Sequence, residues 1–365
     1  MKSPKFKFSY KQIEKPINPI TLRSAWKGKI RSQIRRQIFL DTVDYKDIDY
    51  NINEIIYIIS KSISSASYKP KPPVYYLIEK SRGLCRQMVS CHPHDMIVLQ
   101  AISNCLYTEI KNGAPTKNSF FEIDEPHFKS KTLLISETGY GVFASWKRFQ
   151  NKIFKFEKTH KYIVVTDIAN FYDFINLNHL RNIISSICSV NENLLDFLIF
   201  VLNELSWSPD YMPRIQIGLP QMELEAPRVL ANAMLYELDK VASENKKNDY
   251  VRFMDDIDVG VDSISDAKQV IRDLDLCLQS RQMRLNSSKT KILKTTKNGA
   301  VYHFCIMENY KLDKIAMSIE NDQCKNNLAK NAKKLLKIYN KFKNSNDSNK
   351  FSTTSQFFDG NGKKF

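Results

Sequence analysis

The sequence predicts an α+β fold in which helices pack on one face of an antiparallel sheet, and three observations lead to this expectation. A β-branched run at 162–166 is typical of a buried strand, and it ends on Asp167. Two short strand patterns, 250–254 and 257–261, meet at Asp255-Asp256, which predicts a tight hairpin. The order strand, helices, hairpin, helix, strand favours α+β over a regular alternation of strands and crossover helices.

The elements before this sheet are predicted from residue spacing and from the positions of proline and glycine. A basic helix is expected within 21–40, after an extended leader that contains prolines. The apolar run 54–63 fits either a buried helix or a strand, because so short a run has no decisive periodicity. A strand is expected at 75–79. A helix follows the segment from His92 to Asp95, with its apolar residues on one face.

Helical patterns dominate the remainder of the chain. Helices are expected at 178–188 and 191–205, followed by a loop that contains Pro213 and Gly218-Leu-Pro-Gln221. One longer helix is predicted where Leu230, Met234, Leu238 and Val241 recur at helical spacing. Further along, the sequence predicts an amphipathic helix over 267–278, a short strand at 301–306 and a Lys-rich helix from 311 to about 343.

Composition excludes several classes of protein. The chain has 365 residues, of which 42% are hydrophobic, with 21 Phe and 17 Tyr, so it can bury a large core and is not a disordered protein. Its longest apolar stretch, 194–202, is too short to span a membrane, and its first residues lack the apolar core of a secretory signal. We therefore expect a cytoplasmic protein without a membrane partner. Seven cysteines with no Cys-x-x-Cys pair indicate reduced, mostly buried thiols.

The net charge of +16 is concentrated at the two ends of the chain. Residues 1–40 contain 11 basic residues and 1 acidic residue, and residues 311–350 contain 10 Lys and 4 acidic residues. This pattern suits arms that bind a polyanion, but Lys-rich termini can equally serve solubility. The side chains that we expect to bind nucleic acid are Arg35, Arg36, Lys333, Lys334 and Lys337.

Three carboxylates are the strongest chemical signal in the sequence. Asp167 follows a buried strand, while Asp255 and Asp256 are adjacent at a turn, where they repel each other unless a cation compensates them. Oxygen ligands without neighbouring Cys or His favour Mg²⁺ over Zn²⁺, and two such ions can support phosphoryl transfer. The competing interpretation is that Asp255-Asp256 only begins a solvated turn. We also interpret nearby Asp258 as solvated, since it alternates with the core residue Ile257.

Over about residues 75–305 the chain resembles a known family. Successive segments are similar to the ordered motifs of reverse transcriptases, and several motifs in the right order are more specific than any single one. An upstream segment resembles the fingers region of the bacterial members. The segments are Lys80 with Gly83 and Arg86, then Pro93 and Asp95, Val164 to Tyr172, Gly218 to Gln221 with Ala226-Pro227 and Asn232, Phe253 to Asp256, and Leu285-Asn286 with Lys289-Thr290.

The resemblance implies a right-hand polymerase with fingers, palm and thumb, in which an antiparallel palm sheet is backed by helices. It divides the chain into a basic N-terminal leader and helix (1–40), fingers (41–160), palm (161–306), a Lys-rich helical thumb (307–345) and a tail expected to be disordered (346–365). It also implies an RNA-directed DNA polymerase that uses an RNA template, a DNA or RNA primer and dNTPs. No pattern predicts the oligomeric state.

The resemblance assigns roles to individual residues. Asp167, Asp255 and Asp256 would be catalytic and would hold two Mg²⁺ ions, for which Mn²⁺ can substitute, with the carbonyl of Ile168 as a further ligand. The remaining assignments are to the nucleotide. Lys80 and Arg86 would hold the triphosphate, Tyr172 would exclude a 2′-hydroxyl, Gln221 would line the pocket and Lys289 would act on pyrophosphate.

Two residues depart from the family pattern. Met222 stands where glycine usually follows the Pro-Gln pair, and Ala226 replaces the usual serine, so we expect a narrowed pocket or an altered use of template. The compact length, the modified loop and the basic ends look most like the bacterial defence-associated and abortive-infection enzymes. A dedicated non-coding RNA partner is compatible with the charged ends.

Three alternatives remain open at the level of sequence. The same palm chemistry serves template-independent or protein-primed DNA synthesis, and it also serves RNA-dependent RNA polymerases. Against the RNA polymerase stand Met254 before the acidic pair and Tyr172 at the sugar gate, although Asp173 lies one residue further on. The third alternative, a non-catalytic RNA-binding protein, is disfavoured because all three costly carboxylates are retained.

Overall fold

The structure is a computed structural model of the chain. The residues it describes are 16–35, 41–81, 83–123, 142–208, 211–213, 215–244, 249–295, 329, 330, 332–334, 336 and 337. The expected strand at 301–306, the tail and most of the leader and of the Lys-rich helix lie outside these residues. Residues 329–337, where they are described, are helical.

Short helices open the described chain. Helix α1 (Pro19–Ala25) begins at Asn18, whose side chain accepts hydrogen bonds from the N–H groups of Ile20 and Thr21. A π-helical turn (Trp26–Ile30) and helix α2 (Arg31–Ile34) follow, so the expected basic helix is present with an irregular middle.

The apolar run 54–63 proves to be helical. It lies in α4 (Ile52–Ser64), which follows the short helix α3 (Lys46–Tyr50). The buried residues Ile52, Ile56, Ile59 and Ile63 recur every three or four positions and so share one face of α4.

A two-stranded hairpin and a long helix come next. Strands β1 (Val74–Ser81) and β2 (Leu84–Ser90) pair in antiparallel fashion, which confirms the strand expected at 75–79. Helix α5 (Pro93–Asn112) begins at His92, whose Nδ1 accepts the N–H of His94. Most of α5 is buried, because helices pack on several of its sides.

The central sheet has four antiparallel strands in the order β4-β5-β3-β6. Helix α6 (Val142–Thr159) precedes β3 (Tyr162–Asp167). The bounds of β3 confirm the strand predicted at 162–166 and its end on Asp167. After β3 the chain forms three helices, of which two were predicted. These are α7 (Phe171–Phe174), α8 (Leu177–Ile187) and α9 (Glu192–Leu205).

The helix predicted across Leu230 and Val241 is in fact two helices. Helix α10 (Glu225–Met234) ends, Leu235 leaves helical geometry, and α11 (Tyr236–Glu244) begins at once. Spacing alone does not reveal this break, because the apolar period continues across it. The remaining elements are β4 (Asp249–Phe253), β5 (Asp256–Val261), α12 (Ile264–Gln279) and β6 (Lys291–Lys294).

Helices cover both faces of the central sheet, and the expectation of one covered face was wrong. On one face, Val164 and Val259 belong to the main hydrophobic core. On the other, Ile163 and Val251 pack with Phe149, Ile153 and Phe156 of α6. This second layer also corrects the interpretation of Asp258. It alternates with Ile257 as expected, but only 2% of it is exposed, because the face it occupies lies under α6.

The described residues bear on two features that composition raised, namely membrane-spanning helices and the state of the cysteines. Within them, no helix combines the length and the hydropathy needed to cross a membrane. Five of the seven cysteines are described and all five are free thiols. Cys91 and Cys188 are buried, Cys105 and Cys277 are partly buried, and Cys85 is exposed.

Candidate active site

The three predicted carboxylates lie at one edge of the central sheet. Asp167 is the last residue of β3 and is the direct cross-strand partner of Asp256, the first residue of β5. The hairpin turn is therefore Met254-Asp255, one residue earlier than the predicted tip. A strand end and an adjacent hairpin turn thus bring together residues that are almost ninety positions apart, as the motif order predicted.

The turn that carries Asp255 is strained. Met254 has φ of 54°, in the left-handed region that favours glycine, and it is the first of the two turn residues. A non-glycine residue held there costs about 1–3 kcal/mol, and such strain persists only where the surroundings enforce it. Arg252, two residues earlier, supplies one of these constraints by donating from Nη1 to the carbonyl of Met254 at 2.9 Å.

Lys289 lies among the carboxylates. Its ammonium forms an ion pair with Oδ2 of Asp167. Burial lowers the pKa of Lys289, but the hydrogen bond to Asp167 and the charges of Asp167, Asp256 and Asp255 outweigh it and raise the pKa above its usual value. The Lys289 ammonium is therefore held in its charged form at the point where the three acids meet.

The turn at Asn286 brings Lys289 into this position. The N–H of Asn286 donates to the carbonyl of Asp167 at 2.7 Å, and the N–H of Lys289 donates back to the carbonyl of Asn286 at 3.1 Å. The hydroxyls of Thr166 and Thr290 lie 2.7 Å apart and join the same two segments. Thr166 and Thr290 both lie in the matched motifs, which gave neither of them a role.

The donor atoms at this edge suit magnesium. Among the described residues, no group of three or more His, Cys, Asp and Glu side chains is arranged to hold a metal ion as it stands. The set nevertheless fits one in chemical type, since Asp167, Asp255 and Asp256 provide hard oxygens; Asp167 pairs with the ammonium of Lys289, and the charges of the other two act on it. Binding of Mg²⁺ to Asp167 requires Lys289 to share or release that carboxylate.

Ile168 is oriented as the predicted carbonyl ligand would need. It is the antiparallel partner of Leu285, and the hydrogen bonds on either side run from Ala169 N–H to the Arg284 carbonyl and from Asn286 N–H to the Asp167 carbonyl. In this pattern the N–H and carbonyl of Ile168 itself point away from Leu285, toward the side of β3 on which β5 lies.

Tyr172 is close enough to the acidic turn for the charge of Asp255 to act on its phenol, and the sugar-gate assignment stays a prediction. Burial raises the pKa of its phenol above the usual range; Arg228 opposes this rise, Asp255 adds to it and Arg86 again opposes it. The charges of two guanidinium groups and of one carboxylate in the acidic turn therefore act on a single phenol. Of the predicted nucleotide ligands, the structure thus brings Arg86, an exposed residue of β2, toward the site.

Arg228 is a candidate that sequence reasoning missed. Nine of the ten described residues of α10 are buried, and Arg228 is the exception. Its nearest carboxylate, on Glu223, lies 3.5 Å from Nη2, and both side chains are more than a third exposed. A pair of this kind is weak, so the guanidinium can still engage an anionic ligand. The available signal was a single basic residue in a mostly apolar helix after the Pro-Gln loop.

Three hydrogen bonds, two of them made by Gln221, fix the loop that carries Gln221. Its side-chain amide donates to Oδ1 of Asp173 at 2.8 Å, and its carbonyl accepts the N–H of Val89 at 2.8 Å. The N–H of Leu219 donates to the carbonyl of Tyr172 at 2.8 Å. The Pro-Gln loop is thereby fixed both to strand β2 and to the residues of the gate.

The two departures from the family pattern are accommodated in the protein interior. Met222 is 5% exposed and belongs to the main hydrophobic core, and Ala226 is fully buried. The side chain of Met222 is therefore taken up by the core. The expected effects on nucleotide choice or template use remain predictions.

The predicted nucleic-acid ligands are less well defined. Arg35 already forms an ion pair with Asp44, while Arg36 and the side chain of Lys80 lie outside the described residues. The helical residues Lys333, Lys334 and Lys337 are exposed, which leaves their positive charge accessible.

Comparison with known proteins finds a family whose sequence pattern matches most of this chain. Residues 69–325 match the family described as "Reverse transcriptase (RNA-dependent DNA polymerase)". The chain matches no curated protein.

Solved telomerase structures show distant similarity. The telomerase of Candida albicans in complex with a TWJ fragment of telomeric RNA shares 12% identity, with a TM-score of 0.46 and coverage of 78% of this chain and 55% of that chain. Apo telomerase of Candida tropicalis shares 12% identity, with a TM-score of 0.43 and coverage of 67% and 49%. A form of the latter truncated from its C-terminal domain gives the same identity and TM-score with coverage of 62% and 51%. The chain spans about half the length of these telomerases.

Proposed function

The chain belongs to the reverse transcriptase family, and from that premise we propose that it is an RNA-directed DNA polymerase that extends a primer 3′ end with dNTPs. The observation that supports this most directly is the edge of the central sheet, where Asp167 pairs with Asp256 across the strands, Asp255 lies in the adjacent turn and Lys289 forms an ion pair with Asp167. Clustered carboxylates of this kind serve phosphoryl transfer by holding divalent cations at the reacting oxygens.

The proposed reaction forms one bond and breaks another. The primer 3′-oxygen attacks the α-phosphorus of a dNTP and loses its proton, the bond from that phosphorus to the bridging oxygen breaks, and pyrophosphate leaves. Two Mg²⁺ ions held by Asp167, Asp255 and the Ile168 carbonyl, with support from Asp256, would supply Lewis-acid activation and charge neutralisation. Lys289 is held protonated, so it can donate a proton to the departing pyrophosphate or neutralise its charge.

Side chains around Tyr172 would bind and select the nucleotide. Arg86 and Arg228 supply guanidinium groups suited to bidentate phosphate contacts. The phenol of Tyr172 would meet the sugar and exclude a 2′-hydroxyl. The hydrogen bond from Gln221 to Asp173 turns the nearest extra carboxylate toward the Pro-Gln loop, which favours dNTPs over NTPs at this gate.

The proposal includes partners and a biological setting. An RNA template and a DNA or RNA primer would contact the exposed lysines Lys333, Lys334 and Lys337, and a dedicated non-coding RNA is a candidate template. The assignment to antiviral defence in the cytoplasm of a bacterium is supported by sequence alone, through the departures at Met222 and Ala226 and the basic ends.

A primer-extension assay with a matched control tests the polymerase. Asp255→Asn removes one charge from the turn, whereas Asp273→Asn makes the same change on α12 and keeps an oxygen that can accept from Gln269. With an RNA template, DNA primer, dNTPs and Mg²⁺, we expect complementary extension by the wild type and by Asp273→Asn. We expect Asp255→Asn to be slower by at least about 100-fold.

Other outcomes of the same assay would support the alternative functions. Preferential use of NTPs that survives Tyr172→Ala would indicate an RNA polymerase. Products whose sequence is independent of added RNA, or which are attached to protein, would indicate template-independent or protein-primed synthesis. If neither the wild type nor Asp255→Asn extends any primer while both bind RNA equally, the chain is an RNA-binding protein.

The defence role has its own test. Phage should form fewer plaques on bacteria that express the wild type or Asp273→Asn than on bacteria that express Asp255→Asn. Equal plaque counts for all three would overturn the defence role and leave the polymerase assignment standing.

A further inference from the structure

Arg252 is the largest charged side chain that is fully buried among the described residues, and it lies two positions before the acidic turn. Its Nε donates to Oδ1 of Asp239 at 2.7 Å and its Nη2 donates to Oδ2 at 2.6 Å, a bidentate pair that is fully buried on both sides. Tyr250 also donates to Oδ1 of Asp239, at 2.6 Å. None of the roles that the resemblance assigns falls on Arg252 or Asp239.

The same guanidinium reaches other segments. Nη1 donates to Oδ1 of Asn232 on α10 at 3.1 Å and to the carbonyl of Met254 at 2.9 Å. Nη2 donates to Oγ of Ser119 at 2.8 Å. All three nitrogens thus have acceptors, and together they join α10, α11, residue 119 and the turn of the β4–β5 hairpin.

The backbone of Arg252 is fixed as well. Its N–H donates to the carbonyl of Asn118 at 3.0 Å, and its carbonyl accepts the N–H of Phe120 at 2.8 Å. Residues 118–120 therefore act as a short extra edge beside β4, with Ser119 bridged to Arg252. Both ends of this arginine are immobilised, so the position of its guanidinium is set by the surrounding fold.

The contact with Met254 connects this network to the catalytic turn. The Met254 carbonyl belongs to the peptide unit whose nitrogen is that of Asp255, so fixing this oxygen fixes the peptide plane that precedes Asp255. Met254 is also the residue in the left-handed conformation, where the turn needs an external constraint. A lysine has one nitrogen in place of three and cannot reproduce the planar fork.

We propose that Arg252 is a positioning residue, anchored by Asp239, that holds the Met254-Asp255 turn so that Asp255 is oriented for divalent metal binding. The proposal rests on the proposed polymerase function, but it concerns the geometry of the turn and not the reaction itself. The motif match includes Asn232 without giving it a role. In this proposal Asn232 helps to hold Arg252 by accepting a hydrogen bond from the same guanidinium.

Two substitutions separate positioning from simple stabilisation. Arg252→Lys keeps the charge beside Asp239 and removes the fork that reaches Met254. Ser119→Ala removes a different acceptor of the same guanidinium and leaves the contact with Met254 in place. For each variant we would measure thermal unfolding, kcat and KM for dNTP per folded molecule, and the affinity for Mn²⁺ by electron paramagnetic resonance without nucleotide.

We expect Arg252→Lys to weaken Mn²⁺ binding several-fold and to lower kcat by about 10- to 100-fold, with KM for dNTP little changed. Ser119→Ala should bind Mn²⁺ and turn over as the wild type does. If Arg252→Lys shows wild-type Mn²⁺ affinity and kcat per folded molecule and only a lower unfolding temperature, Arg252 is merely structural and the proposal is wrong.

A second pair of variants covers the case in which Arg252→Lys does not fold. Met254→Gly relieves the left-handed strain, so Arg252→Lys/Met254→Gly is compared with Met254→Gly alone, and equal Mn²⁺ affinities in the two would overturn the proposal. A wild-type chain that binds Mn²⁺ but adds no nucleotide would overturn the proposed function alone. A wild-type chain that does neither would overturn both.

Discussion

The ammonium of Lys289 donates a hydrogen bond to Oδ2 of Asp167, although the two residues are 122 positions apart in the chain. The Asn286 turn brings Lys289 to the end of β3, and the strand end presents Asp167 at the sheet edge. Lys289 and a divalent metal ion therefore compete for the carboxylate of Asp167. In the proposed reaction the same lysine, which is held in its charged form, would supply a proton or a positive charge to the leaving pyrophosphate.

Replacing Lys289 should consequently have opposite effects on metal binding and on turnover. In Lys289→Ala we expect Mn²⁺ to bind several-fold more tightly in the absence of nucleotide, because a competing cation is gone. We expect kcat for dNTP addition to fall by about 100-fold or more, since a general acid typically contributes that much. Electron paramagnetic resonance and single-turnover primer extension measure the two quantities.

Lys291→Ala is the matched control, because Lys291 is an exposed residue of β6 two positions further on. It should leave both quantities unchanged. Weaker Mn²⁺ binding in Lys289→Ala would show that Lys289 supports the metal site and does not compete with it.

Arg228 should contribute to nucleotide affinity. It is the one side chain of α10 that is not buried, and its charge acts on Tyr172 beside Asp255. In Arg228→Gln we expect KM for dNTP to rise about tenfold with kcat within a factor of about three, because a charge-assisted phosphate contact is worth roughly 1.5–3 kcal/mol before solvent screening. Steady-state kinetics would measure this, and Arg272→Gln on the exposed face of α12 is the control. An unchanged KM would remove Arg228 from the nucleotide site.

Tyr172 should set the choice of sugar. Burial raises the pKa of its phenol further above assay pH, so the group is neutral and we expect it to act by its shape. Tyr172→Ala should reduce the preference for dNTP over NTP by about tenfold or more, the scale at which small steric differences are discriminated. Competition between dATP and ATP measures the ratio. Tyr211→Ala, at a tyrosine that is 87% exposed, should leave the ratio unchanged.

The sequence reveals the position of the acidic edge because the information there is local. Each signal there depends on a few neighbouring positions: the β-branched residues predict a strand, and a two-residue turn predicts a hairpin. The ends of β3 and β4 could therefore be placed within about one residue. The motif order brings Asp167 and the acidic turn into one site, but only the structure shows that Asp167 pairs with Asp256.

Contacts that depend on a second segment could not be predicted in the same way. Alternation identifies the face that Asp258 occupies, but only the packing of α6 shows that this face is buried. Arg252 looks like an ordinary charged strand residue until Asp239 of α11 is brought against it. The break at Leu235 is hidden because the apolar spacing continues through it.

The fold should lose stability in mild acid through His92. Burial, then the neighbouring His94 and then Lys71, lower the pKa of His92 from 6.5 to about 4. Between these values the unfolded chain binds a proton that the folded chain does not, so this stability is present above pH 6.5 and is lost as the pH falls toward 4. The full shift corresponds to about 3 kcal/mol, which partial exposure to solvent reduces to about 1–2 kcal/mol.

His92→Asn tests this prediction, because asparagine can still begin α5 but does not titrate. Chemical unfolding at pH 7 and at pH 4.5 should show a smaller loss for the variant than for the wild type. If both lose the same free energy of unfolding, another group is responsible for the acid sensitivity.

The exposed lysines of the C-terminal helix should determine how binding depends on salt. Lys333, Lys334 and Lys337 are described, helical and exposed, and each phosphate that a lysine neutralises adds about 0.7–0.9 to the slope of log affinity against log salt. Changing all three to Gln should therefore lower the slope for a primer-template by about 2 to 3. The control changes the net charge equally at the exposed lysines Lys46, Lys240 and Lys268. A slope that falls in the test variant and not in the control assigns these lysines to nucleic-acid binding, while an unchanged slope in both assigns them to solubility.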